Sequence, residues 1–238
     1  MWMNNCRCEV QHMPRRIVLT GGPGAGKTAV LELARQAFCA HVVVVPEAAS
    51  LLFKGGFPRG SSEAQRQAAQ RAMYFVQREL ECSAAADRNP AVLLCDRGTL
   101  DGLAYWPGDP ALFWENAHSS CQEQLARYDV IIHLRTPSAG NGYNHQNPAR
   151  IESAVEAADI DARIGQVWSA HPRRFEVPST PGFLEKASRT LALIQQELPA
   201  CCRPPLMGAL EISSAAVENA HTAPEMGDVA PQLHLPRV

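Results

Sequence analysis

The chain has 238 residues, 46% hydrophobic and 19% charged, enough to bury a core without disulfides or metal. Its 22 basic side chains against 24 acidic ones leave a net charge of -2, which excludes the broad positive footprint of a nucleic-acid or anionic-membrane binder. No apolar run approaches the length of a membrane span, and the first dozen residues lack the apolar stretch of a secretory signal, so the expected compartment is the cytoplasm.

Residues 1–14 read as a disordered extension, 15–198 as one domain and 199–238 as a mostly disordered tail rich in Pro, Ala and small polar residues. Within the domain, residues 16–20 (RIVLT) form a short apolar strand ending in glycines, and 27–38 carry helical periodicity. The β-branched run 41–45 (HVVVV) suits a buried parallel strand. Residues 61–87 predict a long amphipathic helix whose apolar stripe is Ala68, Ala72, Phe75, Val76 and Leu80. Strands are expected at 91–95 (AVLLC) and 130–134 (VIIHL), with a helix over 111–128 between them. A Gly/Asn-rich loop spans 137–148, a helix 149–170, a short strand 174–177 and a last helix 183–198, with a short helix over 206–217 in the tail. Strands alternating with helices predict a three-layer α/β/α sandwich around a parallel sheet of about five strands.

The eight cysteines, in a chain with no secretion signal, read as reduced thiols. Cys39, Cys82, Cys95 and Cys121 sit among apolar or helical residues as small core fillers. Cys6-x-Cys8 and the adjacent Cys201 and Cys202 lack the CxxC spacing and companion histidines of a zinc knuckle, so no metal is expected there.

Gly21-Gly22-Pro23-Gly24-Ala25-Gly26-Lys27-Thr28 matches G-x-x-x-x-G-K-[ST] between a strand and a helix, the context that a P-loop requires. Glycines let backbone N–H groups line one concave nest, and the helix N-terminus that continues through Ala29 adds its partial positive charge. Lys27 is expected to reach the β- and γ-phosphates of ATP, and the Thr28 hydroxyl to join a Mg²⁺ shell.

Three constellations bear on the chemistry. Asp96-Arg97 follows the strand 91–95, at the sheet edge where strand ends place ligands. There Asp96 either holds Mg²⁺ or caps the helix beginning at Thr99, and Arg97 is a candidate clamp on a transferring phosphoryl group. Glu47 leaves the strand 41–45 toward the same edge, either to orient and deprotonate an acceptor hydroxyl or to sit as a helix-start acid. Arg150 follows the glycine-flanked loop, either as a lid arginine that closes over the phosphates or as a surface residue. Phe57 and Arg59 are candidates for a pocket wall and an anion anchor, and Tyr105 and Trp106 for stacking on a ring or for core packing.

Together RIVLTGGPGAGKT, VPEAAS, GGFPRG, LLCDRGTLDGLAYWPG, YDVIIHL and NPARIES resemble the NadR-type, AAA-like ATPase/kinase family, over roughly residues 15–198. That family includes the ribosylnicotinamide kinase domain of a bacterial NAD-metabolism regulator. The resemblance implies a nucleoside-kinase-like P-loop fold, ATP with Mg²⁺, and phosphorylation of a small hydroxyl-bearing substrate. It also implies that Glu47 takes the place of the strand-end acid, Asp96 and Arg97 that of the acid–arginine pair, and Arg150 that of the lid arginine. Asp96 is followed by Arg97, so the glutamate that activates water in many ATPases is missing from its usual place. The expected function is therefore a Mg²⁺-dependent kinase acting on a small nucleoside-like acceptor, with no nucleic-acid or membrane partner. The alternative is a nucleotide-switched binding protein with slow hydrolysis, and the oligomeric state is not encoded in any motif.

Overall fold

The structure, a computed structural model, describes residues 6, 8, 10–87, 89–137, 153–180 and 182–203. Strands β1 (Arg15–Thr20), β2 (Val42–Val45), β3 (Val92–Asp96), β4 (Val130–Leu134) and β5 (Arg174–Val177) form one sheet in the order β2-β3-β1-β4-β5. Every neighbouring pair is parallel. Alternate residues feed two cores. Ile17, Leu19, Leu94, Ile132 and Leu134 meet Val30 and Leu31 of α1 (Lys27–Ala37) and Ile194 of the final helix (Phe183–Glu197). On the opposite face Val18, Val45, Leu93, Cys95 and Ile131 meet Leu100, Tyr128, Ile160, Ile164 and Trp168. Burial on both faces is why these strands read as unbroken apolar runs, and each fully buried aliphatic side chain contributes about 1.5–3 kcal/mol.

The remaining helices are α2 (Ala48–Lys54), α3 (Glu63–Ala86), α4 (Pro110–Ala117), α5 (Cys121–Leu125) and α6 (Ala154–Val167); the last, Phe183–Glu197, is α7. A 3-10 turn covers Thr99–Ala104 and another Ala200–Cys202. No helix of the described residues is long and apolar enough to cross a membrane. Residues 206–217 and the start of the expected helix at 149–152 lie outside the described residues.

Several elements differ from the sequence expectation. The single helix expected over 111–128 is two helices. His118 turns left-handed at φ 46°, and the Ser120 hydroxyl accepts from the Glu123 N–H to start α5 afresh. Helix α2, unassigned from sequence, runs from Ala48 until Gly55 and Gly56 end it. Cys82 is exposed, whereas Cys39 and Cys95 are buried.

The face of α3 is the largest correction. Phe75 is exposed and Ala68, Ala72, Val76 and Leu80 are only half-buried, while Gln70, Gln77 and Glu81 are buried with Ala69 and Tyr74. Hydrogen bonds turn the helix. Gln77 Nε2 donates to the Arg97 carbonyl (3.3 Å) and to Glu81 Oε1 (3.1 Å). Glu81 also accepts from Arg127 (2.6 Å) and from the Tyr128 hydroxyl (2.8 Å). A hydrogen-bonded polar network can occupy positions that periodicity assigns to apolar side chains.

Removing the shared acceptor strands buried donors. Glu81→Ala is expected to lower unfolding stability by about 2–4 kcal/mol, somewhat eased because Arg127 can reach water. Arg189→Ala, which breaks an exposed pair with Glu185, should leave the urea midpoint unchanged. Urea titration of the two variants checks the contrast.

Candidate active site

The glycine-rich loop leaves β1 at Thr20 and passes tightly against β4. Gly21 has φ +139°, and a Cβ there would stand 2.1 Å from the Leu134 carbonyl oxygen, so only glycine fits. The chain then enters α1 at Lys27, whose buried ammonium donates to the Gly21 carbonyl (2.7 Å) and the Gly22 carbonyl (3.1 Å). Burial, reinforced by the nearby Arg97 charge, brings the Lys27 pKa down to about 8 against the pull of Asp96, Glu47 and Asp101. Ala25 is buried and closes a turn onto the Gly22 carbonyl (3.3 Å), while Thr28 and Ala29 face solvent on the first turn of α1.

Two acids that sequence reasoning did not assign to the site hold this loop. Asp161 of α6 accepts from the Gly22 N–H (2.9 Å), contacts His133 Nε2 (2.9 Å) and pairs with Arg135 (3.2 Å). Burial opposes its charge, yet those donors and the neighbouring cations hold its pKa below the usual carboxylate value. Its one sequence signal is position, a carboxylate on the buried stripe Ala157–Ile160–Ile164. Asp101 accepts from the Thr20 hydroxyl (2.6 Å) and Trp168 Nε1 (2.8 Å) on one oxygen and from the Gly98 N–H (3.1 Å) on the other. The end of β1, the Asp96-Arg97-Gly98 turn and the end of α6 therefore meet on one carboxylate. Gly98 packs under Trp168, since a Cβ would lie 2.7 Å from the indole ring.

Asp96 ends β3, is buried, and its Oδ1 has no hydrogen-bond partner among the described residues. Burial pushes its pKa up to about 6; Lys27 and Arg97 pull it down, while Glu47 and Asp101 add to the rise. It does not cap the following turn. The Gly98 N–H goes to Asp101 and the Thr99 N–H to the Tyr128 hydroxyl (2.9 Å). A carboxylate oxygen short of donors at a strand's carboxyl end has the chemistry to take a hydrated divalent cation.

Arg97 adopts φ 73°, a left-handed conformation that costs a non-glycine residue of order 1–3 kcal/mol. Its Nε donates to Glu47 Oε1 (2.6 Å) and its NH1 to the Gly21 carbonyl (3.3 Å). Its guanidinium also lies over the Tyr105 ring (5.7 Å). Burial works against the Arg97 charge, but Tyr105, Glu47 and Asp101 more than offset it and raise its pKa. Burial likewise would raise the Glu47 pKa, but the Arg97 charge, bonds from Ser50 and Arg97, and Lys27 bring it below its usual value. Glu47 occupies the N-cap position of α2 without capping it through its side chain.

The structure thus brings Lys27 and Arg97 together on the Gly21 carbonyl, with Glu47 paired to Arg97 and Asp96 within reach of the charges of all three. Arg150 lies outside the described residues. Trp106 belongs to the core, edge-on to Phe113, with its Nε1 on the Asp109 carbonyl. Arg59 stacks over Phe53 (4.1 Å).

A sequence-family profile described as "AAA domain" matches residues 16–183. A search of curated proteins finds no match. Among solved structures, NadR in complex with NR superposes with a TM-score of 0.62 at 12% identity, over 79% of this chain and 52% of that one. NadR in complex with NAD and AMP-PNP gives a TM-score of 0.55 at 12% identity, over 77% and 49%. The chain spans about half the length of the NadR chains it matches, and at this identity the likeness shows the fold.

The raised Asp96 pKa has a consequence for stability. Its pKa of about 6 in the fold exceeds 3.8, so the native state holds the proton more tightly than the unfolded chain. That contribution is complete below pH 3.8 and is lost as pH rises through about 6. Asp96→Asn is expected to remove this decline and to stabilise the ligand-free protein at pH 7.5 by about 1–3 kcal/mol. Urea titrations of both proteins at pH 4.5 and 7.5 check it.

Proposed function

The chain belongs to the AAA domain family, and on that premise we propose that it moves the γ-phosphoryl group of ATP to a hydroxyl of a small, nucleoside-like molecule. One observation carries the reading. The Glu47 carboxylate of one strand end meets Arg97 of its neighbour at 2.6 Å, beside the first P-loop glycine. A water-activating ATPase needs a free acid after the β3 aspartate, and this chain puts an arginine there instead.

In this reading the backbone of Gly21, Gly22, Pro23, Gly24, Ala25, Gly26, Lys27, Thr28 and Ala29 cradles the triphosphate. Lys27 leaves its carbonyl partners for the phosphate oxygens, where an anion restores the charge that burial disfavours. Asp96 and Thr28 would hold Mg²⁺, which would supply charge neutralisation to the phosphates. Arg97 stabilises charge on the transferring group while fixing Glu47. Glu47, kept ionised by that contact, accepts a hydrogen bond from the acceptor hydroxyl, orients its oxygen in line and takes its proton as the new O–P bond forms and the bond to ADP breaks. Arg150 is assigned the lid role, and residues 15–198 the catalytic unit. The likeness to NadR, solved with NR and with NAD and AMP-PNP, makes pyridine and other nucleosides the first acceptors to try.

The test is ADP release from Mg²⁺-ATP with and without a panel of nucleosides, nicotinamide riboside, sugars and amino alcohols, with Lys27→Ala as blank. Acceptor-stimulated turnover that vanishes in the blank is expected. Asp96→Asn should lower turnover about 10³-fold or more while ATP affinity stays within about tenfold. Glu47→Gln should lower acceptor-dependent turnover by about 10²-fold. Tight ATP binding with no acceptor stimulation across the panel, or full activity in Asp96→Asn, would overturn the assignment.

A further inference from the structure

At the amino-terminal edge of the sheet, opposite the P-loop, the fold gathers sulfur and imidazole ligands from three separate segments. Cys6 precedes β1, Cys39 and His41 lie in the turn between α1 and β2, and Cys202 follows α7. The ligand atoms of these residues all lie within 4.8 Å of one another. Cys202 Sγ stands 3.6 Å from His41 Nδ1 and Cys39 Sγ 3.9 Å from it. Tetrahedral zinc with Zn–S of about 2.3 Å and Zn–N of about 2.0 Å requires S···N edges of about 3.5 Å and S···S edges of about 3.8 Å. The two sulfur spacings to His41 are near that edge, and no pair of the four ligand atoms is more than 4.8 Å apart. Cys39 and Cys202 are buried in the apolar core, Cys6 and His41 half-buried, and all these thiols are free.

Core packing explains Cys39 and Cys202 singly. It does not explain why an imidazole nitrogen sits among three sulfurs, two of which come from distant parts of the chain. A closed set of three thiols and one histidine is a structural zinc arrangement, and soft sulfur donors select against Mg²⁺. The backbone around it is built. The His41 carbonyl accepts from the Ala91 and Val92 N–H groups (2.8 and 3.1 Å). Asn89 accepts from the His12 N–H and donates to the Val10 carbonyl, both at 2.7 Å, tying the leading segment to the start of β3. Beside the four lies a second, more open group, Cys8, His12 and Cys201, with Cys201 Sγ 3.7 Å from Cys202 Sγ.

We propose that Cys6, Cys39, His41 and Cys202 form a structural zinc site that staples the segment before β1 and the end of α7 to the base of the sheet. Binding releases the three thiol protons to solvent and leaves three thiolates and a neutral imidazole on the ion. A closure linking position 6 to position 202 constrains most of the unfolded chain, so metal affinity becomes folding free energy.

The full chain, purified with a non-thiol reductant and supplied with zinc, should retain about one equivalent or more after dialysis, by elemental analysis. Cobalt loaded in its place should show the visible spectrum of a tetrahedral, thiolate-bound ion. Cys6→Ser, at the margin of the core ahead of the sheet, and His41→Ala should each lose about one equivalent, whereas Cys82→Ser, at an exposed cysteine outside the cluster, should lose none. Chelation should lower the unfolding midpoint by about 5 °C or more in the parent chain but not in Cys6→Ser. The site is refuted by retention below about one-tenth equivalent, by equal zinc in Cys6→Ser and the parent, by retention of copper(I) alone, or by disulfides among these four residues.

Discussion

Two cations converge on one neutral oxygen, the Gly21 carbonyl, which accepts from Lys27 at 2.7 Å and from Arg97 at 3.3 Å. That oxygen can sit there only because Gly21 takes a backbone conformation and a contact with Leu134 that no side chain allows. Lys27 is buried and lies beside a second positive group, and burial first and the Arg97 charge second bring its pKa down to about 8. The loop is thereby an anion receptor in its electrostatics as well as its shape. Any phosphate that displaces the carbonyl relieves the repulsion it inherits.

The buried acids divide according to how their oxygens are satisfied. Asp101 and Asp161 each gather several donors, and Glu81 does so on the far face of the same turn. These residues hold backbone: the end of β1, the Gly22 N–H, and the carbonyl of Arg97 by way of Gln77. Asp96 stands a few residues away with an unpartnered oxygen. A fold that satisfies three neighbouring carboxylates so fully does not leave the fourth short by lack of donors to hand. In the proposed function the contrast separates acids that hold the loop from Asp96, whose oxygen is left for the metal ion.

The strands, the P-loop and the Asp96-Arg97 turn were legible because each rests on a local pattern: apolar runs for a sheet buried on both faces, glycines at fixed offsets, an acid at a strand end. What was not legible depended on partners distant in sequence. The buried face of α3 follows Gln77 and Glu81 because Arg97, Arg127 and Tyr128 wait for them, and no window of the helix contains that information. Asp161 reads as one acid among several in an amphipathic helix until the Gly22 N–H is seen against it. The break at His118 was readable in principle, since Ser120 and Glu123 carry a capping-box spacing that helical periodicity obscured.

The cysteines make the same point in the opposite direction. Zinc motifs are recognised by short spacings because most small metal sites are assembled from one or two hairpins. Here Cys39-x-His41 is the only close pair in the four-ligand group, and the others arrive from residues 6 and 202. A parallel sheet explains how they meet. Every strand starts at the same edge, so the turn before β2, the segment before β1 and the exit from α7 are brought side by side by topology alone. The carboxyl edge collects the charged groups of the P-loop site by that rule. The amino edge collects soft ligands by the same rule, and a protein so arranged can stabilise its base without placing any further constraint on the end where nucleotide chemistry is proposed.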